Sequence, residues 1–383
     1  MRQLNLRRGR FALLPFLLAF LTHANFAHAE KTHFDLTQLK APAGFHISVF
    51  AEEVGGARMM IFTGGGVLLV SESGEGKVVA LPDPKHTGKA ARTVTVLEGL
   101  NEPHGLALYE GKLYVAENDK VRRYDWDEAN LRASNPKTLT DLPTGGGHST
   151  RSVLFHGGKM YVSAGSSCNV CIEKDPRRAT VMEFNPDGTG QKIFAKGLRN
   201  AVGLAVNPKT DTVWVTVNGR DWLGDDLPPE TIYDLGKDGG DAGWPYCYGD
   251  RVPDPNFTKP GDGRCDSVIE PKVQMQAHSA PLGLAFYEGT EFPAEYRNNI
   301  FVAFHGSWNR SVPTGYKVVR VKLDDKGQPV GGAEDFITGW IAPGETKKGR
   351  WMGRPVGIAF GGDGAMYLSD DAAGVVYRVT YGK

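Results

Sequence analysis

The chain has no net charge, few cysteines and no long apolar run, and each shortage excludes a class of protein. Basic and acidic side chains number 44 each in 383 residues, so there is no basic arm for nucleic acid and no acidic tail. The longest apolar stretch, Phe11 to Leu21, is about 11 residues, half of what a helix needs to cross a bilayer, and no membrane span is expected. No nucleophile elbow or Ser-His-Asp order is found, so a serine hydrolase is unsupported. EF-hand spacing is absent as well. What abounds is glycine (49) and proline (23), spread in short punctuated intervals that join brief segments through tight turns and argue against long helices.

The first 29 residues read as an export signal. Arg2, Arg7, Arg8 and Arg10 precede the apolar run, and Ala27-His28-Ala29 forms a small-residue cleavage site. Cleavage after Ala29 predicts a slightly acidic product, residues 30–383, free in the periplasm. In that oxidising setting the four cysteines, Cys168 and Cys171 in a CxxC and Cys247 and Cys265 further on, read most simply as two local disulfides. Ile172 stands where covalent haem attachment needs histidine, and the second pair lacks zinc-ligand spacing.

A motif of apolar strand, glycine-bearing turn and second apolar strand recurs six times, beginning at Met59, Gly105, Ser152, Gly203, Gly283 and Gly357. The first four copies start 46, 47 and 51 positions apart, and the later intervals of 80 and 74 hold insertions. A third strand follows each hairpin and a fourth follows in copies one to five. The pattern predicts an all-β, single-domain, six-bladed β-propeller. The sixth copy ends before its fourth strand, and Phe45 to Phe50 is a strand without a hairpin; it is expected to complete the last blade and close the ring.

In such a ring, residues before strand one and after strand two of every copy meet at one mouth of the channel. They include Arg58, Glu72, Glu102, His104, Asn118, His148, Arg151, Ser166, Arg199, Asn200, Asn218, Asp221, His278, His305, Trp308, Arg310, Arg354, Asp370 and Asp371. Taken singly, most of these arginines read as members of structural ion pairs; gathered at one mouth they favour a polyanionic ligand, since arginine grips carboxylates through paired hydrogen bonds. His148, after three glycines, suits a general base. The turn-rich stretch Asn218 to Asp226 suits a hard cation through its oxygens.

The segments Gly147-His148-Ser149-Thr150-Arg151, Gly165 to Cys171, Leu198-Arg199-Asn200, Gly243-Trp244-Pro245, His305 to Arg310 and Gly353-Arg354-Pro355 together resemble the soluble PQQ-dependent sugar dehydrogenases, the sorbosone dehydrogenase branch most closely and the aldose (glucose) dehydrogenases more distantly. The resemblance runs from about Phe45 to the C-terminus. It implies a six-bladed propeller holding pyrroloquinoline quinone (PQQ), a tricarboxylate, with calcium over the channel. By that resemblance His148 is the base that takes a hydroxyl proton from a sugar or related alcohol or aldehyde. Arg199, Asn200 and Arg354 hold the cofactor, and the main-chain carbonyls of Gly219 and Arg220 hold calcium. Three positions depart from the aldose branch: Ser166 aligns with the aspartate that orients its histidine, Arg220 with a calcium-loop proline, and the segment His305 to Arg310 with its cofactor lysine. His305 and Arg310 are the alternatives for that lysine's part, and Arg58, His104 and Trp308 are further contact candidates from position. No cytochrome unit is seen before Lys383, so a separate electron acceptor, a quinone or cytochrome, is expected. Two rival readings use the same scaffold: a calcium-dependent lactonase with Glu72, Asn118, Asn200, Asn218 and Asp370 as ligands, and a non-catalytic propeller that binds a partner or glycan.

Overall fold

Short apolar segments of period two, cut by glycine turns, can bury both faces only by stacking sheets, and the chain does this radially. A computed structural model describes residues 35–259 and 261–382; the expected export signal lies outside the described residues. Six antiparallel sheets form a six-bladed propeller. The first runs from Ala57–Phe62 at the axis through Leu68–Glu72 and Lys77–Leu81 to Val94–Leu97 at the rim. Among the described residues, helical structure is confined to the 3-10 turns Leu36–Gln38 and Ala294–Tyr296. Six apolar clusters fill the six seams between neighbouring blades.

The ring closes as the repeat pattern implies. Phe45–Ala51 adds to the edge of Val375–Tyr381 as the fourth strand of the last blade, with Phe45 opposite Tyr381 and Val49 opposite Tyr377. The long interval after the fourth copy holds Gly240–Asp241, which pairs in parallel with the outer strand of the third blade, and a hairpin of Cys247–Tyr248 with Val252–Pro253. The Cys247–Cys265 disulfide pins that insertion, and the fourth blade resumes only at Val273–Met275.

Neighbouring inner strands approach very closely. A Cβ on Gly105 would sit 2.6 Å from the Val153 nitrogen and one on Gly357 2.5 Å from the Arg58 carbonyl oxygen, so only glycine fits there. Hydroxyls latch one blade to the next: Ser71 donates to the His104 carbonyl (2.7 Å), Ser152 to Val202 (2.5 Å), Thr216 to Leu282 (2.8 Å) and, closing the circle, Ser369 to Arg58 (2.5 Å). In four blades the inner strand also shifts register near its mouth end, between Ala57 and Met60, Ala201 and Leu204, Pro281 and Leu284, and Pro355 and Ile358. These bulges turn Val202, Leu282 and Val356 inward as a small apolar cluster with Met59, which plugs the channel and floors the mouth.

Phe45 anchors the closing strand, edge to face with Phe292, Tyr296, Phe336 and Tyr381 at 4.8 to 5.1 Å. Phe45→Ala is expected to cost about 3–5 kcal/mol in chemical denaturation, the usual range for a buried phenylalanine; a loss below about 1 kcal/mol would show that ring closure does not rest on this anchor.

Candidate active site

Above the apolar plug lies a cavity of about 440 Å³ lined from several blades, by Arg58, His148, Cys168, Asn169, Arg199, Asn200, Asn218, Gly219, Asp221, Glu230, His278, His305, Trp308 and Arg354 among others. The inner strands bring these loop residues together from segments nearly 300 positions apart.

His148 enters on the loop before the third blade. Its Nδ1 lies 2.9 Å from both the Ser166 carbonyl and the Ser166 hydroxyl oxygen, and that hydroxyl donates its own proton to the Cys168 carbonyl at 2.7 Å. Both neighbours of Nδ1 are therefore acceptors, which places the ring proton on Nδ1 and leaves Nε2 a lone pair. Nε2 has no partner among the described residues and faces the cavity. Burial first, then the Arg199, Arg178 and Arg151 guanidiniums, push this imidazole down to about 4 against the opposing pull of the Ser166 carbonyl, so it is neutral at pH 7. Arg151 and Arg178 hold the loop beneath it through carbonyl oxygens: Arg151 donates to His148 (2.9 Å), Thr150 (2.8 Å) and Pro143 (2.7 Å), and Arg178 to Gly165 (3.2 Å) and Gly145.

The arginines differ in how far the protein satisfies them. Arg199 is saturated: it donates to the Asn169 carbonyl (2.8 Å) and amide oxygen (3.0 Å), the Gly219 carbonyl (2.6 Å) and Asp221 (3.3 Å). Arg58 is paired with Asp371 at 2.7 Å. Arg354 is different. Its Nε touches the His305 carbonyl at 3.2 Å, and its two terminal nitrogens have no hydrogen bond from the described residues, so a guanidinium fork is left open at the cavity wall. Asn200 is likewise half-used: its amide nitrogen donates to Asn218, whose own nitrogen donates to the Pro281 carbonyl (2.7 Å), and this chain leaves the buried Asn200 Oδ1 without a partner.

His305 lines the cavity with its Nε2 bonded to both Asp371 oxygens (3.0 and 2.9 Å). Burial alone would raise the Asp371 carboxyl, but His305, Arg58 and Arg354 outweigh it and hold the group well below the carboxylate range. Trp308 stands at the rim, exposed, edge to face with the equally exposed Trp222 at 5.4 Å. Two expected contacts are not made. His104 is fully buried behind Arg58, whose Nε reaches its Nδ1 at 3.4 Å, because the Ser71 latch on its carbonyl draws it into the blade seam. Arg310 lies outside the cavity, where it ties the fifth blade's loop to Asp225 and to Asp226 (3.0 Å).

At the expected calcium pair, Gly219 lines the cavity while the Arg220 side chain turns inward to Asp254 at 2.7 Å. Sequence reasoning missed Glu230, a fully buried cavity carboxylate that accepts from the Gly219 nitrogen (2.7 Å) and the Ala280 nitrogen (3.1 Å); burial pushes it up to about 7. It also missed Asn169, the residue that clamps Arg199. The lactonase ligand set does not assemble: Asn200 and Asn218 line the cavity, but Asn118 bonds Glu102 (3.1 Å) and Asp370 is spent on the Arg354, Ala372 and Ala373 nitrogens and the Tyr377 hydroxyl.

The sequence model of a family described as TrAA12-like matches residues 39–232 and 244–382. The chain belongs to the TrAA12-like family. A pyrroloquinoline quinone-dependent pyranose dehydrogenase of Coprinopsis cinerea is 26% identical over 377 residues, covering 82% of this chain and 51% of that protein, so the chain spans about half that relative's length. The holo PQQ domain of a pyranose dehydrogenase from the same organism superposes with a TM-score of 0.78 at 23% identity, covering 89% of this chain and 97% of that one. The calcium structure of a family AA12 carbohydrate-active enzyme from Trichoderma reesei gives 0.77 at 23% identity, covering 90% and 97%.

For this TrAA12-like chain the environment of His148 makes a direct prediction. An imidazole lowered from 6.5 to about 4 binds fewer protons folded than unfolded between those values, so its contribution to stability is complete above 6.5 and is lost as pH falls through about 4. Imidazole NMR of the apoprotein is expected to show His148 neutral, protonated on Nδ1, until the pH approaches 4. A midpoint near 6.5 would contradict the geometry above.

Proposed function

We propose that this protein is a PQQ- and calcium-dependent sugar dehydrogenase, exported to the periplasm, which oxidises a sugar or related alcohol or aldehyde and passes the electrons to a separate quinone or cytochrome acceptor. The observation that carries the reading is the open Arg354 fork facing the same cavity as the unprotonated Nε2 of a neutral His148. The cavity fits the cofactor chemically. A planar tricarboxylate matches a free guanidinium, and the buried amide oxygen of Asn200 awaits an N–H donor. Arg199, Arg58 and the buried Arg151 and Arg178 supply positive potential beneath. Calcium takes oxygen ligands only; the Gly219 carbonyl keeps a second lone pair beyond its contact with Arg199, and Asp221 adds a carboxylate to the same wall.

When bound, the quinone supplies the two-electron acceptor for a hydride from the sugar carbon, and calcium polarises it as a Lewis acid. The chain's own residues do the rest. His148 Nε2 accepts the hydroxyl proton as the hydride leaves the same carbon, and the Ser166 carbonyl and hydroxyl keep accepting from Nδ1–H, so the ring holds its orientation when it becomes charged. Arg354 fixes the anion while Arg199, its donors spent on the protein, adds positive charge beside it, and the plug of Met59, Val202, Leu282 and Val356 closes the channel below against water. The exposed Trp308 and Trp222 offer apolar faces where a sugar enters.

Titration of folded apoprotein with PQQ plus calcium, read by absorbance, is expected to saturate at one site. Arg354→Ala should weaken binding by about ten- to a hundred-fold, the worth of charge-assisted hydrogen bonds. His148→Ala should retain the cofactor within a few-fold and lose turnover by roughly 10²–10⁴. No quinone uptake by folded wild-type protein would end the proposal.

A further inference from the structure

The loop that leaves the second strand of the third blade, residues 166–171, belongs to no sheet, yet it touches both halves of the site. On one side the Ser166 carbonyl and hydroxyl oxygen accept from His148 Nδ1, and the Cys168 carbonyl fixes the direction of the Ser166 hydroxyl. On the other side the Asn169 carbonyl and amide oxygen accept from Arg199 Nε (2.8 Å) and its terminal nitrogen (3.0 Å). The disulfide between Cys168 and Cys171 closes the segment, and Cys168 itself lines the cavity.

We propose that the Cys168–Cys171 disulfide loop is the positioning element that couples the tautomer of His148 to the placement of Arg199. This rests on the reading of His148 as base and Arg199 as cofactor ligand. The physical argument concerns one proton. The Ser166 hydroxyl accepts from Nδ1 only while its own proton is spent on the Cys168 carbonyl; the Ser166 carbonyl accepts in either case. If the Cys168 carbonyl drifts, the hydroxyl is free to donate to Nδ1 in competition with the Ser166 carbonyl, and the share of rings protonated on Nε2, which lack the lone pair the reaction needs, rises. The same drift carries Asn169 away from Arg199, leaving a buried guanidinium with two fewer partners. No strand ladder holds this backbone; Ser167 is tied to Glu173 and Asn169 to Asp221 by hydrogen bonds, and the cross-link is the covalent restraint on the Cys168 carbonyl between them. The other disulfide, Cys247–Cys265, pins a satellite cluster with Tyr246 and Val268 and touches neither His148 nor Arg199.

The test compares C168A/C171A with C247A/C265A, using imidazole ¹⁵N shifts of the apoprotein and PQQ-plus-calcium titration. C168A/C171A is expected to move His148 toward the Nε2-protonated form and to weaken PQQ binding on the order of ten-fold or more, whereas C247A/C265A lowers thermal stability and leaves both readouts as in wild type. A folded C168A/C171A protein with wild-type shifts and affinity overturns the proposal. Should that variant not fold, Asn169→Ala, which keeps the disulfide, decides: a ten-fold loss of PQQ affinity with unchanged His148 shifts supports the clamp on Arg199, and unchanged affinity overturns it. If wild type itself takes up no PQQ, the functional reading fails, and the ¹⁵N shifts alone then judge the loop.

Discussion

What happens at the mouth depends on how closely the six inner strands approach one another. Where a Cβ at Gly105 or Gly357 would strike the next blade's backbone, the strands meet near enough for Ser71, Ser152, Thr216 and Ser369 to donate across the seam. That contact does two things at once. It satisfies carbonyls at the inner edges of four of the six blades, and it draws the loop ends inward until side chains from Arg58 to Arg354 share one cavity. The register shifts close to those latches then divide the axis, placing apolar side chains below and guanidiniums above.

The charge arrangement follows from burying so many cations in a small volume. A buried guanidinium without a partner costs several kcal/mol, and a carboxylate or a set of aligned carbonyls must offset it. Arg220 is compensated by Asp254, Arg58 by Asp371 and Arg199 in part by Asp221. Arg151 and Arg178 meet backbone carbonyls, which carry no net charge, and Arg151 keeps a buried Nε with no partner. Both the structural-pair account and the ligand account of the mouth arginines thus hold, for different residues. The uncompensated remainder is concentrated around His148 and Arg354, so an anion entering there relieves a strain of charge that the apoprotein carries.

The fold was largely legible because its determinants are local and repeated: period-two apolar runs, a glycine in four of the six inner strands, and a stray N-terminal strand matched to an incomplete last copy. What escaped was non-periodic, namely the parallel strand at Gly240–Asp241 and the small hairpin inside the fourth blade's insertion. In the site, residues at the ends of inner strands were readable from position, as with His148, Arg199, Asn200, His305 and Arg354. Strand position did not decide direction, so His104 went into the seam and Arg310 out to the rim. Glu230 gave one faint signal: it opens the third strand of its blade where Lys77, Lys120 and Lys317 open theirs. Asn169 gave none, because half of its role belongs to a main-chain carbonyl, which any residue type provides.

Ser166, a hydroxyl and a carbonyl where a carboxylate could stand, shapes the proton affinity of His148 as well as its mooring. An aspartate on Nδ1 would stabilise the charged ring and raise its proton affinity; a hydroxyl and a carbonyl orient the ring while contributing only dipoles. With Arg199, Arg178 and Arg151 nearby, an imidazolium formed in the apoprotein would be expelled by the surrounding field. A bound polyanion would oppose that field. On the proposal that PQQ occupies the cavity, its negative charge would ease protonation of His148 as the substrate hydroxyl gives up its proton. His148 and the arginines around it are one electrostatic unit, and with only a hydroxyl and a carbonyl on Nδ1 the proton affinity of the imidazole depends on the charge of whatever enters the cavity.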